Sequence, residues 1–575
     1  MKRSPAGLCL LLTALMLSAC AGLGPKPVPV PNAGIIPAPA KCEMGRGSFV
    51  VRPRTRIVVL YATGAETNPD LNTAELLRDG IAERAGLDLR VATRPREYAS
   101  ESPRRGTIWL AISPVSNHPE GYALTVSPKG VVIKAPTQAG LIYGAQSLLQ
   151  MIGAQTSGKG GPVAIPAVAI QDQPRYGYRG FMLDEAGHCL GVKNLERTLD
   201  IMASLKLNRL HWHITDTRGW CIEIKKYPKL TQVSHARPIQ PDGQPFYTQD
   251  DVRELVAYAR ARNIMIIPEI DMPGHAIAAT RAYPELSGGG ETSMPDWTFD
   301  PAKEETYTFL QDVLAEVAVL FPDTPYIHIG GDEVYFGYKA WMANPRIARF
   351  GREHGASSAI ELEHYFDRRM ADYIRRLGKK TMGWDEMTTA GVPRENLTLF
   401  WWHNERTKLL TDSLAAGYDW VLCPRDPCYF DFIQYPAQKY GRKIFGNTKL
   451  MNDLARVYNN FPDKYFKLVP PGGENRIIGV EACVWMGSCG TMKRLEFLIY
   501  PRLAALAEDG WTPADRKNYE DFQGRVKFFM KWLDAMNVYY CNPFDPSLTP
   551  EPDVVPAAQP NHQTARPAQP AAAKR

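Results

Sequence analysis

The stretch YIHIGGDEV (residues 326–334) predicts the fold, because a short apolar strand runs into two glycines and then the adjacent acids Asp332 and Glu333. Seven other segments repeat this form, a short apolar run that ends on polar or aromatic side chains. The eight candidate strands are GFMLDE (180–185), RLHWHI (209–214), IMIIPEI (264–270), YIHIGG (326–331), KTMGW (380–384), LTLFWW (397–402), DWVLC (419–423) and IIGVEACVW (477–485). Each is followed by a loop and a helical stretch, and eight β/α units in roughly 370 residues are typical of a TIM barrel.

The helix after the second strand carries its own start signal. Thr248 and Asp251 form a capping box, and apolar residues from Val252 to Ala259 then recur at helical spacing. We therefore predict an α/β catalytic barrel over residues 173–547.

A smaller α+β domain is predicted before the barrel, over residues 42–172. RIVVLY, GTIWLAIS, YALTVS and GVVIKAP are candidate strands with turn residues between them, and AGLIYGAQSLLQMI is a candidate helix. No group of catalytic side chains converges there, so we expect this domain to be non-catalytic.

Both ends of the chain have compositions that differ from a folded domain. Lys2 and Arg3 precede the short apolar run LCLLLTALML, which predicts an export signal over residues 1–20. Its end, LSAC, resembles a bacterial lipobox, so Cys20 is the expected lipidation site; ordinary signal cleavage is the alternative. Residues 21–41 are predicted to be a Pro/Ala-rich tether, and residues 548–575 a disordered tail. We expect an exported protein anchored by lipid to a bacterial membrane, with the outer membrane favoured, facing the periplasm or the cell surface.

Composition excludes several other classes of protein. Of 575 residues 45% are hydrophobic and 22% charged, which is typical of globular proteins, and the scattered basic residues give a net charge of only +6. That pattern argues against a nucleic-acid binder. The close pairs Cys423/Cys428 and Cys483/Cys489 are candidate disulfides, but their spacing matches no zinc motif. We therefore assign neither a metal nor a cofactor.

The strand ends carry the residues from which we predict function, because a TIM barrel places its active site at the C-terminal ends of the strands. These residues are Arg179, Asp184, His213, Asp216, Asp271, His275, Asp332, Glu333, Trp384, Asp385, Glu386, Trp401, Trp402, Tyr429, Asp431 and Trp485. Aromatic faces stack on pyranose rings and charged groups bind hydroxyls, so this mixture favours a sugar substrate.

The adjacent acids Asp332 and Glu333 favour glycosidic cleavage, since ionising both is costly and one therefore keeps a proton. Such a pair after a strand is more often a helix N-cap. His275 has a non-catalytic alternative as a loop residue, and at least one of Trp401 and Trp402 is expected in the core, because neighbouring strand residues point to opposite sides. The convergence of all these residues on one barrel face outweighs each separate alternative.

Several segments together match a known family. YRGFMLDEAGH, HWHITDTRGW, IPEIDMPGHA, YIHIGGDEV, GWDEM, GVEACVW and PRLAALAE resemble glycoside hydrolase family 20, the β-N-acetylhexosaminidases. The resemblance covers about residues 42–545, and AGLIYGAQSLLQ resembles that family's non-catalytic domain. It implies an exo-acting enzyme that removes terminal N-acetylglucosamine or N-acetylgalactosamine from glycans. The implied route is substrate-assisted and retaining, through an oxazolinium intermediate, and needs no second carboxylate.

The resemblance also implies roles for the reacting groups. Glu333 resembles the general acid/base, and Asp332 resembles the carboxylate that accepts the N–H of the substrate's 2-acetamido group. Asp216 and His275 resemble the relay that tunes Glu333, and Tyr429 the group that meets the acetamido oxygen.

Further residues are implied to bind the sugar ring. Trp384, Trp402 and Trp485 are expected to form the walls of the pocket. Arg179 and Asp431 are expected to bind sugar hydroxyls.

Three positions depart from the family pattern. The usual Trp-x-Glu is Trp485-Met486-Gly487, so a carboxylate expected to hold O4 of the sugar is missing, and the position is expected to be open space. Gly187 stands where arginine usually precedes His188, and Cys221 where arginine is common. These departures leave two alternatives: a glycan-binding surface lipoprotein with impaired catalysis, or a specialised enzyme acting on a substituted hexosamine or releasing a disaccharide.

Overall fold

The structure is a computed structural model of the chain. It describes residues 31–62, 71–96, 103, 105–156, 158–239, 243–442 and 451–554, so the export signal, Cys20 and the end of the tail lie outside the described residues. The chain forms two compact units. The first comprises the chain up to Gln173 without Ile36–Ala38, together with Lys527–Trp532, and the second comprises Ile36–Ala38, Pro174–Val526 and the residues from Leu533 onward.

The first unit contains a seven-stranded mixed sheet in the order β1-β7-β5-β6-β4-β2-β3. Its strands are β1 (Lys41–Val51), β2 (Arg56–Tyr61), β3 (Arg90–Pro95), β4 (Thr107–Ile112), β5 (Tyr122–Ser127), β6 (Gly130–Ala135) and β7 (Val163–Asp172). Its helices are α1 (Asn72–Ala85) and α2 (Gln138–Gln155).

Four of these strands and helix α2 coincide with the predicted elements. Helix α2 begins after Thr137, whose hydroxyl accepts the N–H of Gly140, and it buries Leu141, Ala145 and Leu148. Strands β1, β3 and β7 were not predicted. Strand β1 is largely exposed, and β3 (RVATRP) is polar, so neither shows the alternation that marks a half-buried strand.

The predicted tether and tail are wrong where they meet the folded part of the chain. Ile35 and Ile36 are fully buried, and the Ala38 N–H donates to Glu508 Oε1 at 2.8 Å. At the other end, Glu551 is 2.5 Å from Nη1 of the buried Arg494. A buried guanidinium requires such a carboxylate, which the composition of the tail does not reveal.

The second unit is a closed barrel of eight parallel strands, which confirms the predicted fold class. In barrel order its strands are β8 (Tyr178–Asp184), β10 (Arg209–His213), β14 (Met265–Glu269), β17 (Tyr326–His328), β18 (Lys380–Trp384), β19 (Leu397–Trp401), β20 (Asp419–Leu422) and β21 (Ile477–Val484). Short strand pairs in the loops are β9 (His188–Cys189) with β13 (Arg237–Pro238), β11 (Thr215–Asp216) with β12 (Gly219–Trp220), and β15 (Ser287–Glu291) with β16 (Met294–Phe299).

Helices between the strands complete the barrel unit. They are α3 (Val192–Ser204), α4 (Lys229–Gln232), α5 (Gln249–Arg260), α6 (Ile277–Ala282), α7 (Glu304–Leu320), α8 (Tyr335–Ala343), α9 (Pro345–Glu353), α10 (Ala359–Arg376), α11 (Thr407–Ala415), α12 (Leu454–Asn460), α13 (Asp463–Phe466), α14 (Met492–Ile499), α15 (Arg502–Trp511) and α16 (Tyr519–Ala535). The capping box of Thr248 and Asp251 is present at the start of α5.

Each of the eight cysteines in the described ranges is a free thiol, and the candidate pairs Cys423/Cys428 and Cys483/Cys489 do not form disulfides. In the described part of the chain, no helix combines the length and the apolar character that a membrane crossing requires.

Candidate active site

The loop after β17 aims the acid pair. Gly330 and Gly331 have φ of 68° and 85°, a conformation that glycine adopts without strain. A Cβ on Gly330 would lie 1.9 Å from Asp271 Oδ1, so no larger residue fits there. This tight turn brings Asp332 and Glu333 to the C-terminal end of the barrel.

The acid pair does not cap the helix that follows. Helix α8 begins at Tyr335, and its N-cap residue, Val334, makes no side-chain capping bond. Glu333 and His275 have φ of 53° and 54°, which is uncommon for residues with a Cβ. Such strained conformations are concentrated at functional sites, which favours the functional interpretation over the capping one.

A hydrogen-bonded relay lies beside the pair. His275 Nδ1 is 2.6 Å from Asp216 Oδ1, and His275 Nε2 lies 3.3 Å from Asp332 Oδ2 and 3.7 Å from Glu333 Oε2. Behind Asp216, His213 Nε2 lies 3.9 Å from Asp216 Oδ2. One imidazole therefore spans the acid pair and a buried carboxylate.

Burial and these contacts shift the pKa values of Glu333, His275 and Asp216. Burial raises the pKa of Glu333, and the adjacent Asp332 raises it further. Burial opposes the charge on His275, but the surrounding carboxylates, Asp332 first, hold its pKa well above the usual range. Although burial works the other way, His275 lowers the pKa of Asp216. These shifts favour the protonated form of Glu333 and a charged His275–Asp216 pair beside it.

The acids open into a cavity of about 250 Å³ at the end of the barrel. This volume lies below the roughly 300–1,000 Å³ typical of pockets for drug-sized ligands and suits a single sugar ring. The lining residues are Asp216, Thr217, Arg218, His275, Trp297, Asp332, Glu333, Trp384, Trp402, Tyr429, Arg442 and Trp485. Eight of the residues predicted from the sequence are in this set.

Aromatic side chains form the walls, and buried carboxylates fix two of them. Trp384 Nε1 donates to Glu269 Oε1, and Trp402 Nε1 donates to Glu386 Oε2, each at 3.0 Å. The rings of Trp402 and Tyr429 are nearly parallel, at 13°. Neighbouring Trp401 does not line the cavity and is fully buried, so one of the two tryptophans belongs to the core, as predicted.

Asp431 is placed at the edge of this group rather than in the cavity lining. Its Oδ2 is 3.0 Å from Arg442 Nε, and its buried Oδ1 has no hydrogen-bond partner within the described residues. Burial raises the pKa of Asp431 to about 6, while Arg442 opposes the shift.

The prediction that Arg179 binds sugar hydroxyls is wrong. Tyr178 and Met182 point into the barrel core, so Arg179, which lies between them, points outward. Its guanidinium is fully buried, donates to the carbonyls of Lys206 and Tyr176, and stacks on Trp511. Arg179 therefore connects the start of strand β8 to the carbonyls of Tyr176 and Lys206 and to the ring of Trp511.

Arg179→Met is expected to lower stability without changing substrate affinity. The substitution leaves two buried carbonyls without a donor, at a cost of about 2–5 kcal/mol in the free energy of unfolding. Thermal unfolding and KM for an aryl N-acetylhexosaminide check this. A raised KM with an unchanged melting temperature would restore Arg179 to the binding site.

Four lining residues were not predicted from the sequence: Thr217, Arg218, Trp297 and Arg442. All four come from loops outside the eight barrel strands. The ring centroids of Trp297 and His275 are 4.3 Å apart, and Trp297 Nε1 donates to the Glu333 carbonyl at 3.1 Å. The only signal for Trp297 was the apolar-aromatic run WTF in β16, which is also typical of core strands.

Groups that resemble metal ligands lie below the cavity. His211, Glu269 and His328 have ligand atoms within 4.8 Å of one another inside the barrel. Both histidines are 3.0–3.1 Å from Glu269, and His211 Nδ1 is 3.0 Å from Glu481 Oε1. Imidazole–carboxylate pairing accounts for this buried geometry without an ion.

An acid whose pKa is raised and which opens into a one-sugar cavity with indole walls provides what cleavage of a glycosidic bond requires. On a TIM barrel, with the acid at the C-terminal end of a strand, this defines a glycoside hydrolase by class.

Comparisons with known proteins identify the family. The family model "Glycosyl hydrolase family 20, catalytic domain" matches residues 176–514, and "Glycosyl hydrolase family 20, domain 2" matches residues 32–173. The chain belongs to glycosyl hydrolase family 20.

Similar proteins and similar solved structures point to the same family. A beta-hexosaminidase of Porphyromonas gingivalis is 34% identical over 94% of this chain and 68% of its own length. A beta-N-acetylhexosaminidase of Cellulomonas fimi is 30% identical over 86% of this chain and 93% of its own length. The GH20 exo-beta-N-acetylglucosaminidase of Vibrio harveyi, solved in complex with N-acetylglucosamine, has a TM-score of 0.77 and 28% identity, covering 91% of this chain and 80% of that one.

Proposed function

We propose that the chain hydrolyses terminal β-linked N-acetylhexosamine residues from glycans with retention of configuration, using the substrate's own acetamide as nucleophile. The observation that carries this is the relay in which His275 lies between Asp216 and the Asp332–Glu333 pair. Beside this relay, burial and Asp332 raise the pKa of Glu333, which suits it to donate a proton, and Asp332 is assigned to the acetamido N–H.

The first step uses both acids at once. Glu333 donates its proton to the glycosidic oxygen, and the acetamido oxygen attacks the anomeric carbon to form an oxazolinium ring. Asp332 accepts the acetamido N–H and stabilises the positive charge that develops on that nitrogen. In the second step Glu333 takes a proton from water, which opens the ring with overall retention.

The neighbours of the pair position these groups. His275 Nε2 lies 3.3 Å from Asp332 Oδ2, and Asp216 fixes the imidazole from the other side. Tyr429 lines the cavity and is assigned to the acetamido oxygen. The tryptophan walls exclude water, which strengthens each electrostatic contact inside.

Turnover of two simple substrates tests the proposal. A chromogenic N-acetyl-β-glucosaminide and its galactosaminide isomer should both be hydrolysed, with release of single sugars. A glycan-binding protein without turnover would bind both and cleave neither. A disaccharide-releasing enzyme would leave both intact and cleave only longer substrates.

We further propose that Cys20 carries a lipid that anchors the protein to the outer membrane, facing the periplasm or the cell surface. The support is the sequence alone: a basic start, a short apolar run and LSAC, with Ala21 rather than Asp after the cysteine. Acyl chains hold a protein on a membrane without a spanning helix.

Cys20→Ala is expected to move the processed protein from the membrane fraction to the soluble fraction, because the acyl attachment point is lost. Cys42→Ala, at the next cysteine along the chain, is the matched control and should stay with the membrane. Fractionation with immunoblotting measures both. Processed Cys20→Ala protein that remained in the membrane fraction would refute the lipid anchor.

A further inference from the structure

Arg218 fills the space of two missing side chains. A Cβ on Gly187 would lie 3.1 Å from Arg218 Nε, and a Cβ on Gly487 would lie 2.6 Å from Arg218 Nη1. These are the two positions where the family pattern has arginine and glutamate. The expectation that position 487 is open space is therefore wrong, because one guanidinium occupies both places.

The guanidinium is held in place from below by Asp184. Arg218 Nη2 donates to Asp184 Oδ2, and the same oxygen accepts the Met486 N–H at 3.0 Å. Asp184 ends strand β8 and is fully buried. Arg218 is thus a fixed part of the cavity wall rather than a mobile surface cation.

Donor capacity remains on the cavity side. A guanidinium has five N–H donors, and the hydrogen bond that the structure shows for Arg218 uses only Nη2. The Nε atom is buried and has no partner in the described part of the chain. The side chain is 29% exposed and lines the cavity, so ligand oxygen atoms can reach it.

The family pattern has an arginine and a glutamate at these two positions, whereas this chain has one guanidinium beside two glycines, so this part of the cavity wall keeps hydrogen-bond donors and loses a carboxylate acceptor. A carboxylate only accepts hydrogen bonds, whereas a guanidinium only donates them and is the favoured partner of sulfate-like oxyanions. A sugar hydroxyl suits either group. An anionic ester suits only the guanidinium. Arg218 pairs with Asp184 and lies 3.7 Å from Asp216 Oδ2, and Arg442, which lines the same cavity, pairs with Asp431, so the ester is bound through the N–H donors that these ion pairs leave free.

We propose that Arg218 selects the sugar substituent that lies at the part of the cavity wall beside Gly187 and Gly487. We further propose that the cavity admits N-acetylhexosamines that carry a sulfate ester at this part of the wall. This inference rests on the proposed function and names its substrate class. It assigns Arg218 to substrate binding, with its donors directed at ester or hydroxyl oxygens of the terminal sugar.

The test compares fluorogenic 4-methylumbelliferyl N-acetyl-β-glucosaminide with its O4 and O6 monosulfates. The readout is the ratio of kcat/KM for the better monosulfate to kcat/KM for the unsulfated sugar. We expect a ratio above about 0.1 for the native enzyme, since one charge-assisted contact offsets the added bulk. Arg218→Gln should lower the ratio at least about tenfold, and Arg218→Lys, which keeps the charge, should lower it less.

Gly487→Glu provides an independent variant, because it restores the carboxylate without removing the arginine, although the guanidinium has to shift from a Cβ that lies 2.6 Å from Arg218 Nη1. It should also lower the ratio about tenfold, since the new carboxylate pairs with Arg218 and repels sulfate. Gly177→Glu is the matched control: that exposed glycine precedes β8, and an added Cβ meets no atom within 4 Å. Its ratio should equal that of the native enzyme.

Two results overturn the inference: a native ratio below about 0.1, or a ratio that neither Arg218→Gln nor Gly487→Glu changes. In either case hydrolysis of the unsulfated sugar leaves the proposed function standing. Failure to hydrolyse the unsulfated sugar and both monosulfates contradicts the proposed function itself.

Discussion

Glu333→Gln is expected to lower kcat/KM for natural glycans by on the order of 10²–10⁴, which is the range supplied by a positioned general acid. Glutamine keeps the shape of the side chain but has no proton to give to the leaving oxygen. Glu333 is the acid whose pKa burial raises, and its side chain is 32% exposed to the cavity, so it can both keep and deliver a proton.

The leaving group provides an internal control for Glu333→Gln. A 2,4-dinitrophenyl glycoside needs little protonation to leave, so its cleavage step should lose far less activity than that of a sugar leaving group. Steady-state kinetics on both substrates measure the difference. Equal losses on the two substrates would mean that Glu333 acts by holding the structure rather than by donating a proton.

Asp332→Asn is expected to have an effect of similar size for another reason. The carboxylate that accepts the acetamido N–H is replaced by a neutral amide, so the oxazolinium charge loses its partner, and removal of one such interaction costs about 10²–10³ in kcat. A thiazoline analogue of N-acetylglucosamine resembles the cyclised intermediate and should bind the native enzyme tightly. Its inhibition constant should rise sharply in Asp332→Asn. Unchanged inhibition would remove Asp332 from the reaction.

The same variant makes a prediction about pH. The Asp332 charge helps to raise the pKa of Glu333, so its removal lowers that pKa. Because Glu333 must be protonated to act as an acid, the alkaline limb of kcat/KM should move to lower pH in Asp332→Asn. A limb that moved to higher pH would mean that another group is the acid.

The barrel could be predicted because each strand has its own local signal, a short apolar run that ends at the active face. Neighbouring residues of a strand point to opposite faces of the sheet, and this alternation excludes Arg179 from the cavity. It lies five residues before Asp184 in one strand, so the two side chains point to opposite sides of the sheet. The family resemblance implied that Arg179 binds sugar hydroxyls, but its position in the strand directs its side chain away from the cavity.

Residues that loops bring to the cavity had no such signal. Gly187 and Gly487 were recognised as departures from the family pattern, but the residue that fills their space, Arg218, lies in a different loop. Only the three-dimensional structure shows that the same arginine lies against both glycines. Contacts of this kind depend on loop paths, which periodicity and composition do not determine.

Varying the N-acyl group of the substrate tests whether its acetamide is the nucleophile. The measurement is kcat/KM for 4-methylumbelliferyl β-glucosaminides whose N-acyl group is acetyl, monofluoroacetyl, difluoroacetyl or trifluoroacetyl. Each fluorine withdraws electron density from the attacking oxygen, so we expect a steep, monotonic fall in kcat/KM along the series. A flat series, together with a sugar trapped covalently on a protein carboxylate, would contradict it.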